Sequence, residues 1–447
     1  MTPEIKQRIE QIRRGEVPER YVKTALGLAP TDWKRYTFRD IYTERKEPGD
    51  EKLPLLMVSI HSGVSDGEVD AAELPKQVKR IEDKSQYKKA VSGDLVFNMM
   101  RAWQGAIGTV RTTGMVSPAY IAAEPNDKVY PLFMDYYSRT PQMINQIDRQ
   151  SYGVTDFRKR LYWDSFAPIG CILPPIEEQQ KIAAILTAQD KVIELKEKRL
   201  AEKQRQKKYL MQQLLTGKKR LPGFSGQWEI KDFNQVFAFG VTNTFSRECM
   251  CEDSTGVKNI HYGDILVRYG EVLKLSEQEI PSLLSDIVAK ITTFVEDGDV
   301  VIADTAEDLT AGKAVEVQET HGKKVAAGLH TMLCKPIKDC FAPGWLGYYM
   351  NSETYHKQLV PYIAGVKVMS ISKGNIVKTH ILMPPIEEQA AIAEVLSAAD
   401  HEIELLRQDI EQEKQKKKAL MQLLLTGIVR VKTSRKKKCR NIPSKNC

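Results

Sequence analysis

The fold is decided by the stretch Pro174–Arg220, PPIEEQQKIAAILTAQDKVIELKEKRLAEKQRQKKYLMQQLLTGKKR, because it returns as Pro384–Arg430, PPIEEQAAIAEVLSAADHEIELLRQDIEQEKQKKKALMQLLLTGIVR. About half of the aligned positions are identical, including both ends. Each copy opens with Pro-Pro and two glutamates, which suit the positive end of a helix, and closes with Leu-Leu-Thr-Gly, a glycine cap. Each copy therefore predicts one long helix.

An apolar residue recurs at every seventh position inside both copies, and a lysine replaces it at the same place in each. The positions are Leu186, Ile193, Leu200, Lys207 and Leu214 in the first copy and Leu396, Ile403, Ile410, Lys417 and Leu424 in the second. A seven-residue repeat is typical of a coiled coil. We expect the two helices, each roughly 60 Å long, to pack against each other.

Shorter apolar runs, punctuated by Gly-Asp, precede each long helix. Gly-Asp turns at 93, 263 and 298 each predict a following strand. One helix per unit is expected, over Pro131–Ile147 and Gly344–Leu359, and each contains a Tyr-Tyr pair. The units are thus of the α+β class.

The predicted architecture is a pseudo-two-fold internal repeat, in which two α+β domains are separated by two long helices packed as an antiparallel coiled coil. The predicted segments are an N-terminal helical segment (1–31), a first domain (32–173), a first long helix (174–220), a second domain (221–383), a second long helix (384–430) and a basic, solvated tail (431–447).

Composition excludes several classes of protein. The chain has 447 residues, 42% of them hydrophobic, and a net charge of +8, which fits a globular protein and permits a nucleic-acid partner. No apolar run is long enough for a membrane span, and the charged N-terminus lacks a signal-peptide core, so we expect a cytoplasmic protein. Seven scattered cysteines fit a reducing compartment, and their spacing matches no zinc pattern.

Catalytic motifs are missing from the sequence. The segment Leu309–Ala314 contains Gly-Lys, but lacks the first glycine and the Ser or Thr of a phosphate-binding loop. The acidic pairs at 177–178 and 387–388 are explained by their position at helix starts. We therefore expect no catalytic residue and no metal site in this chain.

Taken together, the duplicated helix motif and the two divergent domains resemble the specificity subunit of type I restriction–modification systems. The resemblance covers nearly the whole chain. It implies that each domain is a target recognition domain that reads one half of an asymmetric, two-part sequence in double-stranded DNA. It also implies that the helices set the spacing of the half-sites and dock two methyltransferase subunits.

The resemblance further implies that modification and cleavage belong to partner chains. Restriction subunits, which are translocases and nucleases, complete the full complex. S-adenosylmethionine, ATP and magnesium are expected on those partners, and no cofactor is expected on this chain.

Candidate DNA-binding residues are amide and cationic side chains in loops. In the first domain they are Asn98, Arg101 and Gln104, beside Trp103, and the loop cations Arg158, Lys159 and Arg160; in the second they are Lys313, Lys367 and Lys373. Arg suits guanine edges and Gln or Asn suits adenine edges, whereas the other cations suit phosphates. Trp103 is either a core residue or a stacking platform, and the loop cations are either phosphate clamps or merely solvated.

Candidate partner-binding residues are polar positions shared by both helix copies. They are Gln179, Asp190 and Glu194 in the first copy and Gln389, Asp400 and Glu404 in the second. They either face partner subunits or pair with each other across the coiled coil. Two other functions stay open: a coiled-coil scaffold that binds proteins without reading DNA, and a self-contained restriction or methylation enzyme, which the missing motifs disfavour.

Overall fold

The computed structural model describes residues 2–50, 52–61, 63–65, 86–153, 158–252, 256–284, 288–337 and 340–431. The chain divides into two compact units: unit 1 comprises Met1–Leu195 and Ile410–Cys447, and unit 2 comprises Lys196–Asp409. Two long helices are present, Ile176–Leu214 and Ile386–Leu425. Since the unit boundaries cut both helices, each unit contains one α+β domain with parts of both.

Unit 1 is built on antiparallel strands. Its described strands are Tyr21–Thr24, Gly27–Pro30, Lys34–Thr37, Tyr42–Arg45, Val58–Ser59, Gly63–Val64, Lys88–Ala90, Leu95–Asn98, Ile107–Thr109, Gly114–Val116, Tyr120–Pro125 and Gly170–Leu173. The largest described sheet has the order Tyr42–Arg45, Tyr120–Pro125, Leu95–Asn98, Ile107–Thr109. Its α-helices besides the long ones are Pro3–Arg13, Phe38–Ile41, Pro131–Tyr137, Pro141–Gln150 and Trp163–Phe166, with a 3-10 turn at Ala102–Gln104.

Unit 2 has a larger mixed sheet. Among the described residues its order is Phe237–Phe239, Thr331–Pro336, Val300–Ala303, Ala314–Gln318, Val272–Lys274, and the last pair is parallel. A second sheet has the order Met250–Cys251, Ser282–Leu283, Lys258–Ile260, Val325–Ala327; a third has Thr305–Ala306, Met369–Ser370, Ala364–Gly365; and Glu229–Asp232 pairs with His380–Met383. The shorter helices are Phe233–Val236, Tyr262–Val267, Trp345–Met350, Glu353–Leu359 and Lys373–Ile376, with 3-10 turns at Arg247–Cys249, Val288–Lys290 and Val360–Tyr362.

The long helices contribute to the core of each unit. In unit 1, Leu186 and Leu424 are buried with Phe133 and Phe166. In unit 2, Leu214 and Leu396 are buried with other apolar side chains of the main core. The seven-residue apolar seam therefore also anchors each domain to its helical segments.

Local sequence signals were partly right. The strands after the Gly-Asp turns at 93 and 298 are confirmed, as Leu95–Asn98 and Val300–Ala303. The strand expected after Gly263 is wrong, since Tyr262–Val267 is a helix whose N-cap His261 accepts a hydrogen bond from the Gly263 N–H at 3.2 Å. A capping side chain offers the backbone the partner that favours a helix start.

Each domain has two short helices where the sequence predicted a single one. In unit 1 the break falls before Pro141, which lies in the first turn of the second helix, where proline is tolerated. In unit 2 the break falls at Asn351-Ser352, and Ser352 caps the second helix by accepting from the Tyr355 N–H at 3.2 Å. The predicted tail lies outside the described residues from position 432 onward.

Candidate nucleic-acid interface

Unit 1 brings two predicted DNA-binding stretches together. The turn that follows strand Leu95–Asn98 meets the chain after the basic loop, because the Leu161 N–H donates to the Met99 carbonyl at 2.8 Å. The loop itself is closed by paired backbone hydrogen bonds between Tyr152 and Arg160, at 3.1 and 2.9 Å. Residues 154–157 of this loop lie outside the described part.

Lys159 connects the loop to the turn. Its ammonium lies 5.5 Å from the centre of the Trp103 ring and forms a 2.7 Å ion pair with Asp148. The Trp103 ring is half-buried, and its Nε1 donates to the Met100 carbonyl at 3.0 Å. Lys159 and Trp103 thus hold the surface in shape.

Several predicted side chains on this surface are exposed. They are Arg101, Gln104, Arg158 and Arg160. Asn98 is less exposed, and its Oδ1 accepts from the Met100 N–H at 2.9 Å, so it shapes the turn. The surface therefore exposes guanidinium groups from both the turn and the loop, together with the amide of Gln104.

The sequence did not single out the exposed apolar side chains beside these cations. Met100 is 47% exposed, Tyr152 is 59% exposed and Tyr162 is 42% exposed. Such side chains can make apolar contacts with duplex DNA, for example with thymine methyl groups in the major groove. The sequence signal was weak, since Met100 precedes Arg101, and Tyr152 and Tyr162 flank the basic loop.

Unit 2 has a backbone hydrogen bond at the equivalent place. The Ile371 N–H donates to the Asp304 carbonyl at 2.9 Å, as Leu161 does to Met99 in unit 1. The chain before Ile371 forms a hairpin of Ala364–Gly365 and Met369–Ser370, which pairs with Thr305–Ala306. Lys367 is exposed in this hairpin, and Lys373 follows it, with its ammonium 5.2 Å from the Phe239 ring centre.

Lys313 is not placed as a phosphate clamp. Its ammonium is half-buried and donates to the carbonyls of Leu266 and Tyr269, at 3.0 and 3.3 Å. Burial lowers the pKa of Lys313 below its usual range. These two hydrogen bonds hold the ammonium at the C-terminal end of helix Tyr262–Val267, and its predicted role in binding a phosphate stays a prediction.

Gln179 and Gln389 do not lie on an outward face. Each is 1% exposed. The Gln179 amide accepts from the Tyr130 N–H and donates to the carbonyls of Lys128 and Pro174, at 2.8, 2.9 and 2.9 Å. Gln389 repeats these bonds with Ala342, Cys340 and Pro384, at 3.0, 3.3 and 2.8 Å. These amides fix each helix start to its own domain.

Asp190 and Asp400 pair with the lysines of the seam. Lys417 lies 2.5 Å from Asp190 in unit 1, and Lys207 lies 2.5 Å from Asp400 in unit 2. Tyrosines of the domains complete each junction: the hydroxyl of Tyr136 donates to Asp190 at 2.7 Å, and that of Tyr348 to Asp400 at 2.8 Å. Both aspartates therefore contact the opposite helix, but through a seam lysine and not through another of the six predicted residues.

Glu194 and Glu404 lie on the exposed side of the helices. Glu194 contacts Lys191 at 3.1 Å, and Glu404 accepts from Gln408 at 3.1 Å, both within the same helix. Their partner-binding role stays a prediction. Among the described residues, no group of three or more His, Cys, Asp or Glu is arranged to hold a metal ion.

Comparisons with known proteins agree with this geometry. Residues 82–205 match the family described as "Type I restriction modification DNA specificity domain". This region includes all six residues predicted for DNA binding in unit 1.

Two relatives from Methanocaldococcus jannaschii match over longer stretches. The putative type I restriction enzyme MjaX specificity subunit is 24% identical, over 93% of this chain and 98% of its own. The type I restriction enzyme MjaVIII specificity subunit is 25% identical, over 78% of this chain and 83% of its own.

The chain is thus similar in sequence to type I specificity subunits. Solved structures support a shared fold. A chain from a study of complex assembly and conformational transition of the type I R-M system has a TM-score of 0.55 at 18% identity, covering 90% of this chain and 99% of its own. The S subunit of the type I system from M. genitalium has a TM-score of 0.53 at 10% identity, covering 88% and 96%. In the described part of the chain, no helix is both long and apolar enough to cross a membrane.

Proposed function

We propose that this chain is the DNA-specificity subunit of a type I restriction–modification complex. The observation that carries the proposal is that the specificity-domain match, residues 82–205, spans the turn and loop that place Arg101, Gln104, Arg158 and Arg160 on one exposed surface. Guanidinium and amide groups match base edges in the major groove, and cations bind phosphates regardless of sequence. The surface therefore has the chemistry of a base-reading module.

Two such modules would read a two-part target. Both units use the same backbone link between a turn and a hairpin, but the exposed side chains differ, with arginines in unit 1 and lysines in unit 2. Because base readout depends on side chains, different side chains imply different half-sites. The proposed target is therefore asymmetric.

The long helices are the proposed spacer, as an antiparallel coiled coil. Within unit 2, Lys196 pairs with Asp409 at 2.7 Å, Lys203 with Glu402 at 2.8 Å and Lys207 with Asp400 at 2.5 Å. The residue number rises on one helix as it falls on the other, so these segments run antiparallel. A rigid helix pair would hold the two half-sites at a fixed spacing.

The chemistry of modification and cleavage is proposed to lie on partners. Methyltransferase subunits would dock on the exposed helix faces that carry Glu194 and Glu404, and restriction subunits would join the full complex. S-adenosylmethionine, ATP and magnesium would bind to those partners. This chain would supply recognition and spacing without a catalytic residue of its own.

The deciding experiment is a methylome comparison. Cells that express the chain with its methyltransferase subunit are compared with cells that lack only this chain, by sequencing that detects methylated bases. We expect one methylated motif of two short defined blocks around an undefined gap, which disappears with the chain. If methylation persists without the chain while the subunits still associate, the coiled-coil scaffold is the better description.

A further inference from the structure

The hairpin tip of unit 2 exposes two aliphatic side chains. Between strands Ala364–Gly365 and Met369–Ser370 lie Val366, 96% exposed, and Val368, 55% exposed, with exposed Lys367 between them. Tight turns usually carry Gly, Asn, Asp or Ser. A pair of valines at a tip, flanking a cation, suits contact with an amphipathic partner.

The hairpin is held firmly against the domain. Ser370 pairs with Thr305 and Met369 with Ala306, and the next residue bonds to the Asp304 carbonyl at 2.9 Å. The tip is therefore presented from a fixed base. A preorganised contact loses less conformational entropy on binding.

The charges on the hairpin and on the helix that follows it favour a polyanion. Lys367 lies at the tip, Lys373 begins the helix that follows, and Lys378 comes just after that helix. On the neighbouring loop, Glu307 and Asp308 are both exposed acids, and the Asp308 carboxylate accepts hydrogen bonds from Thr310. The cations thus lie on the hairpin and the helix that follows it, and the acids lie on the separate loop.

We propose that Val366 and Val368 contact the methyl groups of thymines in the DNA half-site read by unit 2, while Lys367 binds a phosphate. This inference rests on the proposed function and adds that thymine is a base recognised by unit 2. The thymine methyl is the apolar group on base edges of the major groove, and that groove admits a two-stranded ribbon.

The test removes single methyl groups from DNA. The complex of this chain with its methyltransferase subunits is titrated with DNA duplexes that contain the motif found by the methylome comparison. In each duplex, one thymine of the motif is replaced by deoxyuracil. We expect one or two replacements in one half-site to weaken binding about fourfold, the loss of roughly one buried methyl contact. V366A and V368A each abolish the effect of replacing the thymine that the truncated side chain contacts, and the double variant abolishes the effect of every such replacement.

Two further variants control for folding and exposure. V366T keeps the shape of the side chain and replaces one methyl with a hydroxyl, so it retains the fold and loses part of the methyl sensitivity. I230A truncates another exposed aliphatic side chain of unit 2, 70% exposed on strand Glu229–Asp232, and is expected to behave as the unmodified chain.

Three outcomes overturn the inference. In the first, no deoxyuracil replacement weakens binding. In the second, the valine variants are weakened by the replacements as much as the unmodified chain is. In the third, the positions at which the valine variants change binding carry no thymine on either strand. Absence of any motif-specific binding by the complex is a different result, because it overturns the proposed function itself and this inference with it.

Discussion

Arg430 binds Glu178, although 252 residues separate them in the sequence. Two guanidinium nitrogens of Arg430 donate to the two carboxylate oxygens of Glu178, each at 2.7 Å, and the same side chain reaches Asp32 at 2.8 Å. Unit 2 repeats the arrangement, since Arg220 binds Glu388 and the Trp228 Nε1 donates to that carboxylate at 2.9 Å. In each unit, an arginine a few residues beyond the end of one long helix binds a glutamate at the start of the other, forming a clasp.

Loss of either clasp arginine is expected to destabilise the chain. Glu178 and Glu388 are each 1% exposed, so Arg430→Ala or Arg220→Ala leaves a buried carboxylate unpaired. We expect a loss of about 3 kcal/mol in the free energy of unfolding, measured by urea titration at pH 7. Arg407→Ala is the matched control, since its side chain is 57% exposed and its ion pair contributes roughly 0.5 kcal/mol. Equal effects of all three variants would argue against the clasp.

The two seam lysines are expected to differ in importance. Lys207 bridges Asp400 and Glu271, at 2.5 and 2.8 Å, whereas Lys417 contacts Asp190. Burial, followed by the charge of Glu271, raises the pKa of Asp400. Lys207→Met leaves two carboxylates facing each other and should lower the thermal midpoint more than Lys417→Met. Calorimetry of the two variants checks this prediction. A lower thermal midpoint for Lys417→Met than for Lys207→Met would contradict it.

Base-reading and phosphate-binding residues of unit 1 should separate by their salt dependence. Arg158→Ala and Arg160→Ala are expected to weaken binding to all duplexes and to reduce the slope of log affinity against log salt by about 0.9 each. Arg101→Ala and Gln104→Ala should instead relax selectivity for one half-site. Fluorescence titration of the assembled complex at several salt concentrations distinguishes the two classes. Identical profiles for all four variants would refute the assignment.

Gly365 is expected to be required for the hairpin of unit 2. Its φ is +152°, and a Cβ added there would lie 1.9 Å from the Val368 carbonyl oxygen. Gly365→Ala should therefore distort the tip and reduce recognition of one half-site, while the thermal midpoint changes little, because the tip is outside the core. Gly374→Ala is the control, since its nearest neighbour, the Ser372 Oγ, would be 3.9 Å away. Unchanged half-site selectivity in Gly365→Ala would exclude a reading role for the hairpin.

Unit 2 should lose stability in mild acid through His261. Burial, followed by the charge of Arg247, lowers the pKa of this histidine below 6.5, and its Nδ1 accepts the Gly263 N–H. A lowered folded-state pKa means that the stabilisation is present above pH 6.5 or so and is lost as the pH falls through the folded-state pKa. His261→Asn keeps a capping acceptor that does not titrate, so its free energy of unfolding should fall less between pH 7 and pH 5. An equal fall in the free energy of unfolding of the two proteins between pH 7 and pH 5 would contradict this.

Local signals in the sequence were informative where neighbours in the chain decide the outcome. The proline and glycine ends and the seven-residue repeat predicted two long helices, which the structure has as Ile176–Leu214 and Ile386–Leu425. The sequence also pointed to a turn and a loop of unit 1 that the structure brings together through the hydrogen bond from the Leu161 N–H to the Met99 carbonyl, and their role in DNA binding stays a prediction. It failed for residues 263–267, because the short apolar run fits a strand as well as a helix.

The sequence by itself determined that this protein has two long helices, each following an α+β domain, because helix periodicity and capping are properties of adjacent residues. Only the tertiary structure decided what the polar residues do. It buried Gln179 and Gln389, paired Asp190 and Asp400 with seam lysines, and turned the ammonium of Lys313 inward. The physical reason is that the partner of a charge or an amide is set by distance in space, and residues hundreds of positions apart meet only when the chain has folded.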